Sequence, residues 1–408
     1  MNHLAIYLHN DTDKRSIIDS ILKNNFLTGK YSFAVGGILF NSKTIEQIIE
    51  EERRHEQFVI KTINNDSVES MSSGEQRKAV LQYFLDQQPG FIILDDWSGN
   101  LDVTNITTLQ QILINAATEI QFIQLLYRRQ DLLPFMQEVI VYNNNGYTIQ
   151  SATSFISERS SSPAFQLHNL PYFFEWNGLQ NDTLIQLNNV SVSYNDKPVL
   201  QNINWTIRPG EFWQLKGPNG SGKTTLVSII IGDNPKAFGQ DMYLFGKKKG
   251  SGESVWDIKK NIGYFYPAMV LLFKRNDTVE NMIISGFVDS IGLYQAPTQL
   301  QQMTAQAWLQ MLGPQYQHKR FNDLSSGQQR IVLVIRAIVK LPPLLILDEP
   351  TEGLDDDNTA IFIQLINTLA ALKKTAIIYI SHREEPQIKP GNIIELIKTE
   401  QGSSAKIM

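Results

Sequence analysis

Two places in this 408-residue chain hold residue types at a spacing that suits phosphate chemistry. The first is Gly217-Pro218-Asn219-Gly220-Ser221-Gly222-Lys223-Thr224, which fits the pattern of a phosphate-cradling loop and runs on into Thr225-Leu226-Val227-Ser228 as a helix. Glycines there let the backbone curl until successive N–H groups point inward at phosphate oxygens. The following helix adds the positive end of its dipole. Lys223 is expected to reach the β- and γ-phosphates, and the Thr224 hydroxyl to complete a Mg²⁺ shell. The second place is Leu344-Leu345-Ile346-Leu347-Asp348-Glu349. An aspartate ending an apolar strand can hold Mg²⁺, usually through water, and Glu349 next to it is placed to orient or deprotonate an attacking water. A bare glycine-rich turn and an ordinary acidic strand end are the competing readings. The presence of both, in this order, argues against each.

Two further residues join this set. His382 follows the strand candidate Ala376–Ile380 and Ser381, on the carboxyl edge where parallel sheets bind ligands, and is expected to contact the γ-phosphate. Tyr194, some thirty residues before Lys223, could stack its ring on an adenine, although an aromatic residue in a strand can equally be core.

The elements that must position these groups follow from pattern. Short aliphatic runs (Phe91–Leu94, Phe122–Tyr127, Leu344–Leu347, Ala376–Ile380) alternate with longer helical segments, which predicts an α/β fold with largely parallel sheets. The halves repeat each other. Met71-Ser72-Ser73-Gly74-Glu75-Gln76-Arg77 answers Leu324-Ser325-Ser326-Gly327-Gln328-Gln329-Arg330, and Leu94-Asp95-Asp96-Trp97 answers Leu347-Asp348-Glu349-Pro350. From Gly74 to Asp95, and from Gly327 to Asp348, the spacing is 21 residues. Two motifs in the same order at equal spacing indicate a duplicated domain. The Ser-rich stretch from Ser151 to Ser162 reads as a linker. The aromatic group Tyr172-Phe173-Phe174-Glu175-Trp176 after it reads as a packing patch. The expected domains are residues 1–150, a linker over 151–182, and residues 183–408.

Composition narrows the partners. A net charge of −5 gives no electrostatic reason for a nucleic-acid surface, and Lys247-Lys248-Lys249 reads as a solvated loop. The chain has no cysteine, which excludes disulfides and thiolate metal sites and suits a reducing compartment. No signal-like start and no run of about 18 apolar residues is present. The expectation is therefore a cytoplasmic protein, peripheral on the inner face of the cell membrane if a separate transmembrane permease recruits it.

With the signature Leu324–Gln328 between the phosphate loop and Asp348, the chain from about Leu184 onward resembles one full cassette of the ATP-binding-cassette (ABC) ATPases. Residues 1–150 resemble a second, shortened one. Ser285-Gly286-Phe287-Val288-Asp289-Ser290-Ile291-Gly292-Leu293-Tyr294 is similar to the tandem subfamily without membrane segments that is named for molybdate transport or photorepair. The resemblance implies two phosphate-loop domains in tandem, each with a mainly parallel sheet and a helical signature subdomain, acting on ATP with Mg²⁺. It also implies that cassettes pair, so that Ser72 and Gly74 of the first signature close over ATP held at Lys223; pairing within one chain and pairing in a homodimer both stay open. One departure is Tyr266-Pro267, standing where the family has a glutamine that links ATP to a membrane partner.

The first half has lost its own loop. Asn10-Asp11-Thr12-Asp13-Lys14-Arg15-Ser16-Ile17 lies over Asn219–Leu226, so that Lys14 is kept while aspartates replace two glycines and Arg15 replaces the metal-binding hydroxyl. A carboxylate about 4 Å from a phosphate costs roughly 4 kcal/mol at an effective dielectric of 20. Asp96 replaces Glu349, and Arg128 is expected to stand where His382 stands. Lys14 precedes Gly74 by 60 residues where Lys223 precedes Gly327 by 104, so an insert is also missing. The expectation is an ATPase with one competent site per chain. Three rivals remain: the first signature as a relic that only caps a helix, since serine and glycine suit helix starts, a nucleic-acid or ribosome-associated regulator, and a binding module that holds ATP without turnover, against which Glu349 beside Asp348 argues.

Overall fold

In this computed structural model the described residues are 2–55, 60, 67–99, 101–143, 146–158, 170, 171, 182–382 and 385–408. The aromatic group 172–176 lies outside them. The chain divides into two compact units, Met1–Ser161 with Gly353–Asp356, and Ser162–Glu352 with Asp357–Met408.

In the first unit, predominantly aliphatic runs become parallel strands covered on both sides. Its elements are β1 (Leu4–Tyr7), α1 (Lys14–Leu22), β2 (Gly37–Phe40), α2 (Ser42–His55), α3 (Ser73–Asp86), β3 (Phe91–Asp95), α4 (Val103–Ala116), β4 (Gln121–Leu126), β5 (Glu138–Asn143), β6 (Gly146–Ser151) and α5 (Ala152–Ser157). The sheet order is β2-β3-β4-β1-β5-β6, parallel except for the final β5–β6 hairpin. All of β3 is buried. One apolar cluster around Phe84, Leu109 and Phe122 and another around Ile18, Phe26 and Ile123 form its core.

The second unit contains β7 (Ile185–Tyr194), β8 (Lys197–Ile207), β9 (Phe212–Lys216), α6 (Lys223–Ile230), β10 (Asp241–Leu244), β11 (Lys247–Lys248), α7 (Val255–Lys259) and β12 (Ile262–Phe265). It continues with α8 (Val279–Ser285), α9 (Gln299–Leu312), α10 (Ser326–Ile338), β13 (Leu344–Asp348), α11 (Asp356–Ala371), β14 (Ala376–Ile380), β15 (Asn392–Ile397) and β16 (Ser404–Ile407). Its main sheet runs β12-β13-β14-β9-β15-β16, again parallel except for the last hairpin. This is the strand order of the first unit, element for element. A four-stranded antiparallel sheet, β11-β10-β7-β8, is added, and among the described residues of the first unit it has no counterpart. The missing length thus falls in this sheet and in the α8–α9 segment, as expected of a shortened copy.

The segment 285–294 has a structural reason for its composition. Arg336 of α10 is buried, donates from Nε to the Ser285 hydroxyl at 2.9 Å and from Nη2 to the Ser290 carbonyl at 2.9 Å, and lies 5.1 Å from the Phe273 ring centroid. A Cβ on Gly286 would come 2.1 Å from the Arg336 carbonyl oxygen, so only glycine fits beside that helix. The lysine run departs from expectation. Lys247 and Lys248 are exposed, but Lys249 is buried and ion-paired to Glu253 at 3.1 Å, its ammonium 4.8 Å from the Phe238 centroid. The acid four residues on made burial affordable; a run of like charges gave no hint of it.

Candidate functional site

β9 delivers the chain to Lys216, and the loop over 217–222 then turns back into α6. Three of its glycines adopt φ values open to few other residues: Gly217 at 150°, Gly220 at 72° and Gly222 at 89°. Space dictates glycine too. A Cβ on Gly217 would lie 2.9 Å from the Leu396 carbonyl oxygen, and one on Gly222 2.8 Å from Leu200 Cδ2. Gly222 is the N-cap of α6 and supplies no side-chain acceptor, so the first amides of that helix face outward without an internal partner from the cap. Lys223 Nζ donates to the carbonyls of Gly217 at 2.7 Å and Pro218 at 3.1 Å, curling over the loop. The Ser221 hydroxyl is buried without a hydrogen-bond partner, and Pro218 and Thr224 are exposed while Asn219 and Thr225 are half-buried.

Asp348 ends β13 on the same sheet edge. Burial raises its pKa, and the nearby Lys223 ammonium opposes that rise. Glu349 follows in the left-handed region at φ 44°, strained for a side chain of its size. Burial, then Glu352 and Asp348, push its carboxyl up to about 7; the His382 N–H and Ser381 act against that rise. The His382 backbone N–H donates to Glu349 Oε1 at 3.1 Å, and its imidazole Nε2 stands 3.6 Å from the same oxygen. His382 is thus brought to Glu349. Tyr194 ends β7 half out in solvent, 39% exposed, with its hydroxyl accepting from Asn234 Nδ2 at 2.7 Å. Tyr266, in place of the family's glutamine, caps a short 3₁₀ turn begun by Pro267, its ring 5.1 Å from that of Tyr264. Burial, then Asp348, raise the Tyr264 pKa, and the residue pairs with Ile346 two positions before Asp348; sequence reasoning passed over it because it lies within a strand.

The open helix end, the orphaned serine hydroxyl, one lysine and a carboxylate pair form a donor set that fits a magnesium-bound triphosphate.

The first unit has the same scaffold with different occupants. Parallel register pairs Tyr7 with Val141 and Lys216 with Glu395, and pairs Asp95 with Leu125 as Asp348 pairs with Ile380. Lys14 and Lys223 therefore begin equivalent helices. Asp96, like Glu349, has a positive φ, 52°. Yet α1 is capped by Asp13, whose carboxylate accepts from the Ser16 N–H at 3.3 Å. Lys14 Nζ is paired to Asp95 Oδ1 at 3.0 Å, and Asp95 is 4% exposed. Burial opposes the Lys14 ammonium, but Asp95, Tyr127 and Asp96 outweigh it and raise its pKa. Both features that would take a phosphate are filled by the unit's own carboxylates. The same register corrects one expectation: Tyr127, not Arg128, stands at the His382 position, and Lys14 Nζ lies 5.7 Å from the Tyr127 ring centroid.

The signatures are twins. Ser72 caps α3 and accepts from Glu75 N while its own hydroxyl donates to Glu75 Oε2 at 2.6 Å; Ser325 and Gln328 build the same box on α10. Gly74 is buried, and a Cβ there would meet Asn105 at 2.5 Å. In this conformation Ser72 performs the helix-capping role that was the rival reading.

Fold and loop together define a phosphate-loop nucleotide-binding protein made of two copies of one α/β domain. The ABC transporter domain family matches residues 200–352. The ABC transporter ATP-binding protein ModF of Escherichia coli is 36% identical over 364 residues, 84% of this chain and 74% of that protein. An uncharacterized ABC transporter ATP-binding protein of Schizosaccharomyces pombe is 32% identical, over 78% of this chain and 66% of its own. A solved RNase-L inhibitor shares the fold at TM-score 0.60 and 14% identity, covering 99% of this chain and 85% of that one. The chain belongs to the ABC family of ATP-binding proteins, and it is an ATPase. Among the described residues no helix is long and apolar enough to cross a membrane.

Proposed function

We propose that the chain hydrolyses MgATP at one site, in its second unit, and that the first unit serves that cycle through its signature rather than through a nucleotide of its own. The observation that carries this is the contrast between two equivalent helix starts: Gly222 leaves the amides of α6 open, whereas Asp13 caps α1 and Asp95 holds Lys14. Gly217, Pro218, Asn219, Gly220, Ser221, Gly222 and Lys223 wrap the triphosphate, and Tyr194 offers its exposed ring to the base. Thr224 and Asp348, with Thr225 alongside, would hold Mg²⁺, which would supply charge neutralisation at the phosphates. Glu349, its carboxyl near neutrality, accepts a proton from the attacking water, and His382 steadies it through the N–H bond while presenting its ring to the γ-phosphate. Ser72 and Gly74 contribute from the first signature.

Single-turnover hydrolysis tests this: Glu349→Gln should bind ATP and cleave it at least about 100-fold more slowly, as loss of a general base does. Equal rates would remove Glu349 from the chemistry. Replacing Gly74 or Gly327 by Trp separates the signatures: loss at Gly74 supports the proposal, and loss only at Gly327 means pairing between two chains. The names of the relatives point to transport, so the biological reading is an ATPase recruited to a separate membrane permease on the cytoplasmic face. Capture of a permease by the ATP-trapped Glu349→Gln form would support this, whereas low-salt retention of nucleic acid would favour the regulator instead.

A further inference from the structure

The wall of the phosphate loop is completed by a segment that no motif marks. β15 lies beside β9, and its end presses on the loop: the Leu396 carbonyl oxygen would be 2.9 Å from a Cβ on Gly217. Two residues further, Lys398 sends its ammonium over the loop. Its Nζ is 3.9 Å from where a Cβ on Gly220 would stand, and nothing else comes within 4 Å of that point.

The turn that carries this lysine is anchored. The Ser403 N–H donates to the Val199 carbonyl at 2.9 Å, and the Gln201 N–H donates to the Ser403 carbonyl at 2.9 Å. Gly402, at φ 97°, has little room for a side chain, since a Cβ there would come 3.3 Å from Pro198 Cβ and from the Val199 carbonyl carbon, and Val199 with Leu200 also packs beside Gly222. One anchored segment therefore lies beside the loop at Gly217, Gly220 and Gly222.

Ile397 pairs with Ser404, so the turn that carries Lys398 spans the six residues between β15 and β16.

We propose that Lys398 is a nucleotide-binding residue of this ATPase: its ammonium, carried beside Gly220 by the 398–403 turn, adds a second cation to the triphosphate site beyond Lys223. The proposal rests on the assignment of that site to the second unit. An exposed cation acts on phosphate through water, so its effect is modest and sensitive to salt.

Equilibrium binding of MgATP to the full-length protein tests it, in wild type, Lys398→Met, Lys398→Glu, Lys398→Arg and Lys223→Ala. Lys398→Met should weaken binding about two- to fivefold at low salt, Lys398→Glu should weaken it more, and Lys398→Arg should restore it. The differences should shrink as salt is raised to about 1 M, where the screening length is near 3 Å. Wild-type affinity in Lys398→Glu at low salt would overturn the proposal, as would a loss in Lys398→Met that salt leaves unchanged. Wild-type affinity in Lys223→Ala would instead overturn the site assignment beneath it.

Discussion

Glu349 offers a test that needs no nucleotide. Its carboxyl is raised from 4.5 to about 7, first by burial and then by Glu352 and Asp348. A group whose folded pKa is raised stabilises the fold below its ordinary pKa, and that contribution is lost as pH rises through the folded value. Here the window is pH 4.5 to about 7. A shift of this size corresponds to about 3 kcal/mol, the cost that the nucleotide-free protein carries at pH 8.5 for holding an ionised Glu349. Glutamine in its place removes the charge and keeps the shape. The Glu349→Gln protein should unfold about 6–12 °C higher than wild type at pH 8.5, taking about 2–4 °C per kcal/mol for a domain of this size, and should match it near pH 4.5. Thermal unfolding of both proteins across that range reads the difference directly. An equal gap at both ends, or a Gln variant that melts below wild type at pH 8.5, would refute the reasoning about burial and charge.

Three other outcomes follow from the same geometry. Gly222→Ala should lose measurable ATP binding and about 1–2 kcal/mol of stability, since φ is 89° and the new Cβ meets Leu200; calorimetry and denaturant unfolding check both. Lys14→Met should leave ATP affinity unchanged yet destabilise the first unit by about 1–3 kcal/mol, because Asp95 is left buried without its cation; urea unfolding followed by limited proteolysis locates the loss. His3, buried between Phe122 and Phe135, has a pKa lowered from 6.5, chiefly by burial. A lowered folded pKa means that stability present above 6.5 is lost as pH falls below it, and His3→Gln should flatten that slope in hydrogen-exchange protection of β4.

The repeat was legible because two motifs recur at the same spacing, and the sheet because short apolar runs without alternation suit strands covered on both faces, as β3 and β13 are. The phosphate loop was legible because its glycines answer a steric demand that the fold then displays at Gly217 and Gly222. Equivalences at strand ends were harder. The sequence alone set Arg128 opposite His382, whereas register puts Tyr127 there. Filling of the first loop by Asp13 and Asp95 could be read only in part: the sequence shows two lost glycines, but not that one carboxylate caps a helix and another, 81 residues away from Lys14, takes the lysine. Lys249 and Lys398 carried no local signal, since Glu253 and the loop at Gly220 give them their surroundings only after folding.

The stoichiometry of MgATP binding, measured by equilibrium dialysis on wild type and on Lys223→Ala, bears most directly on the claim that one of the two duplicated sites is competent. One nucleotide per chain, falling to none in Lys223→Ala, is the predicted result. Two per chain, or one retained without Lys223, would contradict it.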